Sequence, residues 1–363
     1  MFRKNGKRLQ VVPHKLFHHL DELLKWTRGE YFPPIHVEIG TTYRCNHECR
    51  WCYTAYLRER KRLELDRETL LKVMKDMGAA GVKSCCFQGC GEPFMNPHTA
   101  EAIRVGSMSG VDVSAVTNGV LFTSQRAGEC LPYLHWLRFS ALEADAKMYA
   151  FVHGCPEGQY RRLLENIRAA TRLRDSIGHP ELVVSAMMVV VDYNWRTVPE
   201  VTRIARELGL DHIMIRAASS SAWNRSMWEP DLDKKHADVI AKAMEHDSDD
   251  FVVSIRWDSF EAENKGSFPK QFDRCYGVEF QTMVDADACV YPCLHFWGVE
   301  EYRIGDLRKN TFEEVWRSER KREVLEKLHT RHDLDRCHQV CKQSFFNKTL
   351  WELKDVPLHV NFV

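Results

Sequence analysis

The sequence predicts an α/β protein: a parallel β-sheet covered by helices, followed by a cysteine-rich extension. Three observations carry that reading. Short β-branched runs alternate with longer amphipathic stretches over most of the chain, the pattern of a parallel sheet with helical crossovers. Three cysteines in the run Cys45-Asn46-His47-Glu48-Cys49-Arg50-Trp51-Cys52 follow the first of those strands directly. A second cysteine set, from Cys275 to Cys341, lies beyond the last strand–helix unit.

The elements follow in order. After Pro33-Pro34, Ile35–Ile39 reads as a strand leading into the cysteine loop. A helix spans Asp66–Ala80 and is closed by Gly81. A second strand, Val82–Gln88, ends at Gly89-Cys90-Gly91-Glu92-Pro93. A helix near Pro97–Ser109 leads to the strand Val111–Thr117 and the turn Asn118-Gly119. Further strands fit Trp136–Ala141, Leu182–Val191, His212–Arg216 and Phe251–Arg256, with helices at Gln159–Arg174 and Val198–Leu208 between them. The cysteine loop, the glycine-rich turn and the Asn-Gly turn all fall at strand carboxyl ends. Ligands of parallel sheets bind there, so these distant motifs are expected on one face.

Composition narrows the function. The chain has 363 residues, 44% apolar and 28% charged, a globular profile. Lys+Arg and Asp+Glu are both 51, which gives no electrostatic case for a nucleic-acid partner. The longest apolar stretch, Leu182–Val191, is broken by Ser185 and is too short to span a bilayer. Met1–Gly6 has no apolar signal core, and 13 cysteines without a signal point to a reducing cytoplasm, where thiols bind metal.

Three thiolates spaced C-x3-C-x2-C suit a soft metal centre. A 4Fe–4S cluster ordinarily takes four cysteines, so three leave one iron open for chemistry. The alternatives are a zinc knuckle or three buried cysteines, although the paired arms of a zinc site are absent and His47 is a poor fourth ligand.

With these residues in place, the chain closely resembles the radical S-adenosylmethionine (radical SAM) enzymes, whose loop reads C-x3-C-x-aromatic-C. The resemblance implies a partial (β/α)6-type barrel. It also implies a cluster on Cys45, Cys49 and Cys52 that binds SAM, cleaves it with one electron, and so yields a 5′-deoxyadenosyl radical that abstracts hydrogen from a substrate C–H bond. Trp51 would sit near the adenine. Gly89, Gly91, Glu92 and Pro93 match the turn that holds the methionine amine, the glycines allowing close backbone approach and Glu92 accepting from the ammonium. By the same order, Asn118, Ser140, Glu143, Asn194 and Arg216 are further cofactor-binding candidates.

The C-terminal part resembles the SPASM/twitch extension: a β-hairpin with a cysteine at each end, Gly305-Asp306-Leu307, a helix with Trp316, and a final cysteine pair. The resemblance implies a twitch-like hairpin and helix holding one auxiliary 4Fe–4S cluster on Cys275, Cys293, Cys337 and Cys341, two clusters in all. A four-cysteine zinc site is the competing reading. The expected division is a helical lead-in at 1–34, the barrel at 35–257 and the cluster extension at 258–363.

For the substrate, the 44 residues before Cys45 read as helices such as Leu16–Thr27, without the strands of a leader-peptide domain. The expectation is therefore a small polar molecule, sugar- or aminocyclitol-like, lined by the run Ser219–Trp228. An electron donor such as flavodoxin or ferredoxin would be the protein partner. Cys289, left over beside the auxiliary ligands, is expected to donate a hydrogen atom in an epimerisation. Dehydrogenation through the auxiliary cluster, maturation of a ribosomally made peptide, and a non-enzymatic iron–sulfur or zinc protein are the alternatives.

Overall fold

The computed structural model describes residues 3–4, 7–8, 13–60, 63–179, 181–218, 234–265, 270, 272–331, 334, 337, 341–355 and 358. The run 219–228, expected to line the pocket, lies outside the described residues. Ten strands form one sheet: β1 His36–Ile39, β2 Ser84–Phe87, β3 Asp112–Thr117, β4 Leu134–Phe139, β5 Val183–Val190, β6 His212–Ala217, β7 Val252–Arg256, β8 Gln281–Val284, β9 Cys289–Tyr291 and β10 Gly305–Asp306. Their order is β10-β9-β8-β1-β2-β3-β4-β5-β6-β7. From β8 to β7 all neighbours are parallel; β9 and β10 turn back antiparallel. This is the expected partial (β/α)6-type barrel, extended by a seventh strand and by the cluster-domain hairpin. That β8 joins β1 along the barrel edge was not foreseen from the sequence.

Alternation along the strands separates two faces. Val37, Ile39, Phe87, Val113, Leu137 and Ile213 are fully buried and pack under the helices. Their neighbours in sequence, Glu38, Cys86, Ser114, Arg138 and His212, occupy the other face, so the barrel lumen is polar.

Four helices bear on the site: α1 Leu20–Arg28, α2 Arg67–Ala80, α3 Ala146–His153 and α4 Ser344–Lys354. They begin and end as their sequences dictate. Helix α2 starts at Asp66, whose carboxylate accepts from Thr69 N at 2.8 Å, and stops at Gly81, φ +86°. It buries Leu70, Val73, Met74 and Met77, the spacing of one helical face. Helix α3 was not expected from the sequence; it is capped by Asp145 and closed by Gly154 at φ +57°. It is short, yet it supports the cysteine loop.

Segments from both ends of the chain pack together. Helix α1 sets Trp26 edge-on to Tyr276 and Phe280, with ring centroids 5.3 and 5.6 Å apart, and Trp26 Nε1 donates to Glu279 at 3.0 Å. Leu350 of α4 is fully buried in the same cluster. Leu350→Ala should destabilise the fold by about 2–5 kcal/mol, the usual cost of such a cavity. Urea unfolding followed by Trp fluorescence checks this; an unchanged midpoint would refute the packing.

Candidate active site

The cysteine loop is held by its backbone. Glu48 N donates to His153 O at 2.9 Å and Arg50 N to Val152 O at 3.0 Å. These carbonyls end α3 and would otherwise lack partners. A Cβ on Gly154 would overlap the Glu48 carbonyl, so glycine is required there for contact as well as for its positive φ. The thiols meet polar neighbours: His47 N lies 3.4 Å from Cys45 Sγ, His153 Nδ1 3.3 Å from Cys49 Sγ, and Thr54 Oγ1 3.6 Å from Cys52 Sγ. His47, Cys49 and His153 place ligand atoms within 4.8 Å of one another. Burial drives the His47 imidazole down to about 4 and holds that of His153 well below its ordinary range, so both rings are neutral. His47 Nε2 is already engaged by Gln159 Oε1 at 3.0 Å and Tyr149 OH at 3.1 Å. Trp51 sits edge-on to His153, centroids 6.0 Å apart.

The turn after β2 packs against this loop. A Cβ on Gly91 would overlap the carbonyl oxygens of Thr42 and Arg44, and one on Gly89 (φ +147°) the indole of Trp297. The room the glycines create is thus filled by protein. Glu92 N donates to Arg44 O at 2.8 Å. The Glu92 carboxylate is buried and accepts from Thr117 Oγ1 at 2.6 Å, Asn118 N at 2.7 Å and Phe94 N at 3.2 Å. Burial nonetheless pushes this carboxyl up to about 7. These bonds make Glu92 an internal strut tying the turn to the end of β3. Pro93 begins the 3-10 turn Pro93–Met95, and its carbonyl accepts from Thr99 Oγ1 at 2.6 Å.

The remaining cofactor candidates divide. Asn118 Nδ2 donates to Asn46 Oδ1 at 2.7 Å, linking the end of β3 to the cysteine loop. Ser140, half-buried at the end of β4, donates to Thr117 O at 3.2 Å. Arg216 lies on the lumen face of β6, opposite Arg256. Glu143 and Asn194 bond to each other. Both are buried; Asn194 Nδ2 donates to the two Glu143 oxygens at 3.1 and 3.3 Å, and Asn194 Oδ1 accepts from Val191 N at 2.8 Å. Behind them, His153 Nε2 is 3.7 Å from Glu143 Oε1. Burial pushes the Glu143 carboxyl up to about 8.

The four C-terminal cysteines converge. Burial, and next the nearness of Cys341 and Cys337, raises the Cys275 thiol; Cys293 is raised likewise, with Cys341, Cys275 and Cys337 all contributing. A group of thiols that raise one another in this way suits a metal that replaces their protons. Tyr53, one residue after Cys52, is raised by burial and by the nearness of Cys293, Cys341 and Cys337. Cys289 is elsewhere. It begins β9, donates to Asp287 O at 3.4 Å, and is held protonated, pushed up to about 12 by burial. Its charged neighbours are Asp285, Asp287, Arg303 and Asp306, not the auxiliary cysteines.

A model of the radical SAM superfamily matches residues 39–205, and one of the SPASM iron–sulfur cluster-binding domain matches residues 275–343. The chain is a radical SAM protein with a C-terminal SPASM domain. Iron–sulfur clusters of the 4Fe–4S type and SAM are its cofactors. The thiol sets described above fit that chemistry. This radical SAM chain is 21% identical over 311 residues to the tungsten-containing aldehyde ferredoxin oxidoreductase cofactor-modifying protein of Pyrococcus furiosus, covering 79% of this chain and 81% of that one. It is 23% identical over 297 residues to the PqqA peptide cyclase of Xanthomonas campestris pv. campestris, covering 78% and 73%. Two solved structures share the fold. Streptococcus suis SuiB bound to S-adenosylmethionine has a TM-score of 0.65 at 13% identity, over 90% of this chain and 75% of that one. Native anSMEcpe with bound AdoMet has 0.58 at 16%, over 89% and 99%. Among the described residues no helix is long and apolar enough to cross a membrane.

The buried Glu143 carboxyl gives a pH prediction. It is raised from 4.5 to about 8, so its contribution to stability is full below its unfolded value and is lost as pH rises to about 8. Glu143→Gln keeps an acceptor for Asn194 and removes that proton. The wild type should lose stability relative to the variant between pH 5 and 8, by up to about 1.4 kcal/mol per pH unit. Urea titrations of both proteins across this range test it; parallel pH profiles would refute the assignment.

Proposed function

We propose that this radical SAM enzyme modifies a ribosomally made peptide at a C–H bond. The carrying observation is its similarity to PqqA peptide cyclases across 78% and 76% of the chain for two of them. SuiB, also determined bound to its precursor peptide SuiA, shares the fold with a TM-score of 0.64. These relatives replace the expectation of a sugar-like substrate that is epimerised, or dehydrogenated, in the barrel. A short lead-in before Cys45 does not weigh against a peptide, because where a chain begins says little about how it grips one.

In this reading Cys45, Cys49 and Cys52 hold the SAM-binding cluster, and Cys275, Cys293, Cys337 and Cys341 hold one auxiliary cluster. When bound, the first cluster and SAM supply a hydrogen-abstracting 5′-deoxyadenosyl radical. The chain's own residues do the positioning. The α3 carbonyls hold the loop, and Glu92 and Asn118 fix the turns beside it. The polar lumen beneath then orients the peptide segment that reacts. A second reading, modification of a redox cofactor, is favoured by the name of the Pyrococcus relative alone.

Two measurements follow. Anaerobically reconstituted protein should hold about eight irons. Replacing Cys45, Cys49 and Cys52 together by alanine should leave about four and abolish 5′-deoxyadenosine release. Loss of all iron from a folded variant, or of none, would overturn the ligand assignment. For the substrate, short peptides encoded beside the gene should stimulate 5′-deoxyadenosine release and change in mass. Stimulation by small cofactors and by no peptide would favour the second reading.

A further inference from the structure

One cation in the barrel lumen has no role in the scheme above. Arg138 lies on β4, two residues before Ser140 and so near the strand end that faces the cysteine loop. Its sheet neighbours are Val116 of β3 and Ser185 of β5. Leu137 and Phe139 on either side are fully buried under the helices, so alternation turns Arg138 into the lumen. Its guanidinium carbon stands 4.9 Å from the Trp136 ring centroid. Its Nε is buried with no hydrogen-bond partner among the described residues.

The acidic group near it, Glu38, is already engaged. Glu38 Oε1 accepts from Lys342 Nζ at 2.9 Å and from Gln281 Nε2 at 3.1 Å. The Cys86 thiol is raised by burial and stays protonated, and His212 is driven down to about 4, also by burial, and stays neutral. A guanidinium does not give up its proton in a protein. An unpaired charge away from bulk water is costly unless it gains a counterion and hydrogen bonds. The Trp136 indole covers one side of the guanidinium. A planar guanidinium matches a carboxylate in bidentate geometry.

From this we infer that Arg138 binds a carboxylate of the substrate inside the barrel and so selects an acidic one. Resting on the peptide reading, the carboxylate belongs to an Asp or Glu side chain or to the peptide's own C-terminus. Lys342, which follows the auxiliary ligand Cys341, neutralises Glu38 and thereby keeps the lumen cationic.

The test is calorimetry on the reconstituted holoprotein with SAM. Four probes are titrated: glutarate, the capped peptide Ac-Gly-Gly-Glu-Gly-Gly-amide, its Gln counterpart, and Ac-Gly-Gly-Gly-Gly-Gly with a free C-terminus. Glutarate and one carboxylate peptide should bind, and the Gln peptide should bind about tenfold or more weakly. Arg138→Gln should erase that difference, and Arg138→Lys should restore part of it, with iron content and SAM binding unchanged in both. The Glu peptide and the free C-terminus distinguish the two sources. Equal binding of all the peptides, or carboxylate binding untouched in Arg138→Gln, would overturn the inference while leaving the peptide reading in place. Binding of glutarate but of no peptide would support Arg138 and count against the peptide reading.

Discussion

The parallel pairing of β8 with β1 is the constraint on which the arrangement depends. It makes the cluster-domain hairpin a continuation of the barrel sheet, with Gln281 to Val284 aligned against His36 to Ile39. That register brings Trp297 over Gly40 and Gly89, Tyr43 OH to within 2.8 Å of Asp285 Oδ2, and Gln281 onto Glu38. The loop carrying Cys45 to Cys52 follows closely on the end of β1. The hairpin that spaces Cys275 from Cys293 shares the same edge. The register therefore sets the hairpin turn, Asp285 to Ala288, beside the end of β1 where the cysteine loop begins, and turns Cys275 and Cys293 toward the other end of the strand pair.

Around that edge the protein uses buried carboxyls as structural members. Glu92 collects three donors from two segments, and Glu143 holds Asn194 behind the imidazole that touches Cys49. Desolvation opposes ionisation of both, and the donors on Glu92 partly offset it. The compromise raises the Glu92 carboxyl to about 7 and the Glu143 carboxyl to about 8.

The sequence conveyed the fold well because the strands are short, β-branched and regularly spaced, and the caps at Asp66 and Gly81 are strong local signals. Helix α3 escaped because its eight residues are mostly apolar and lack a long periodic pattern. The two cysteine sets were legible from spacing. The roles of Gly91, Glu92 and Asn194 were not, since each depends on a partner far away in sequence: Thr42 and Arg44, Thr117, and Glu143. Arg138 gave no motif at all. It is an isolated charge in an apolar strand, and only the register of its neighbours shows that it faces the lumen.

The cysteine loop hangs from α3 by two main-chain amides, those of Glu48 and Arg50. Main-chain bonds carry no memory of side-chain identity. Between the thiols, then, mutation can explore widely without displacing the metal-binding atoms, provided that Gly154 stays small and the helix keeps its end. Such a scaffold drifts easily in sequence while its geometry stands still. Relatives with about one residue in five in common, such as the Pyrococcus protein at 21%, are what that freedom would leave behind.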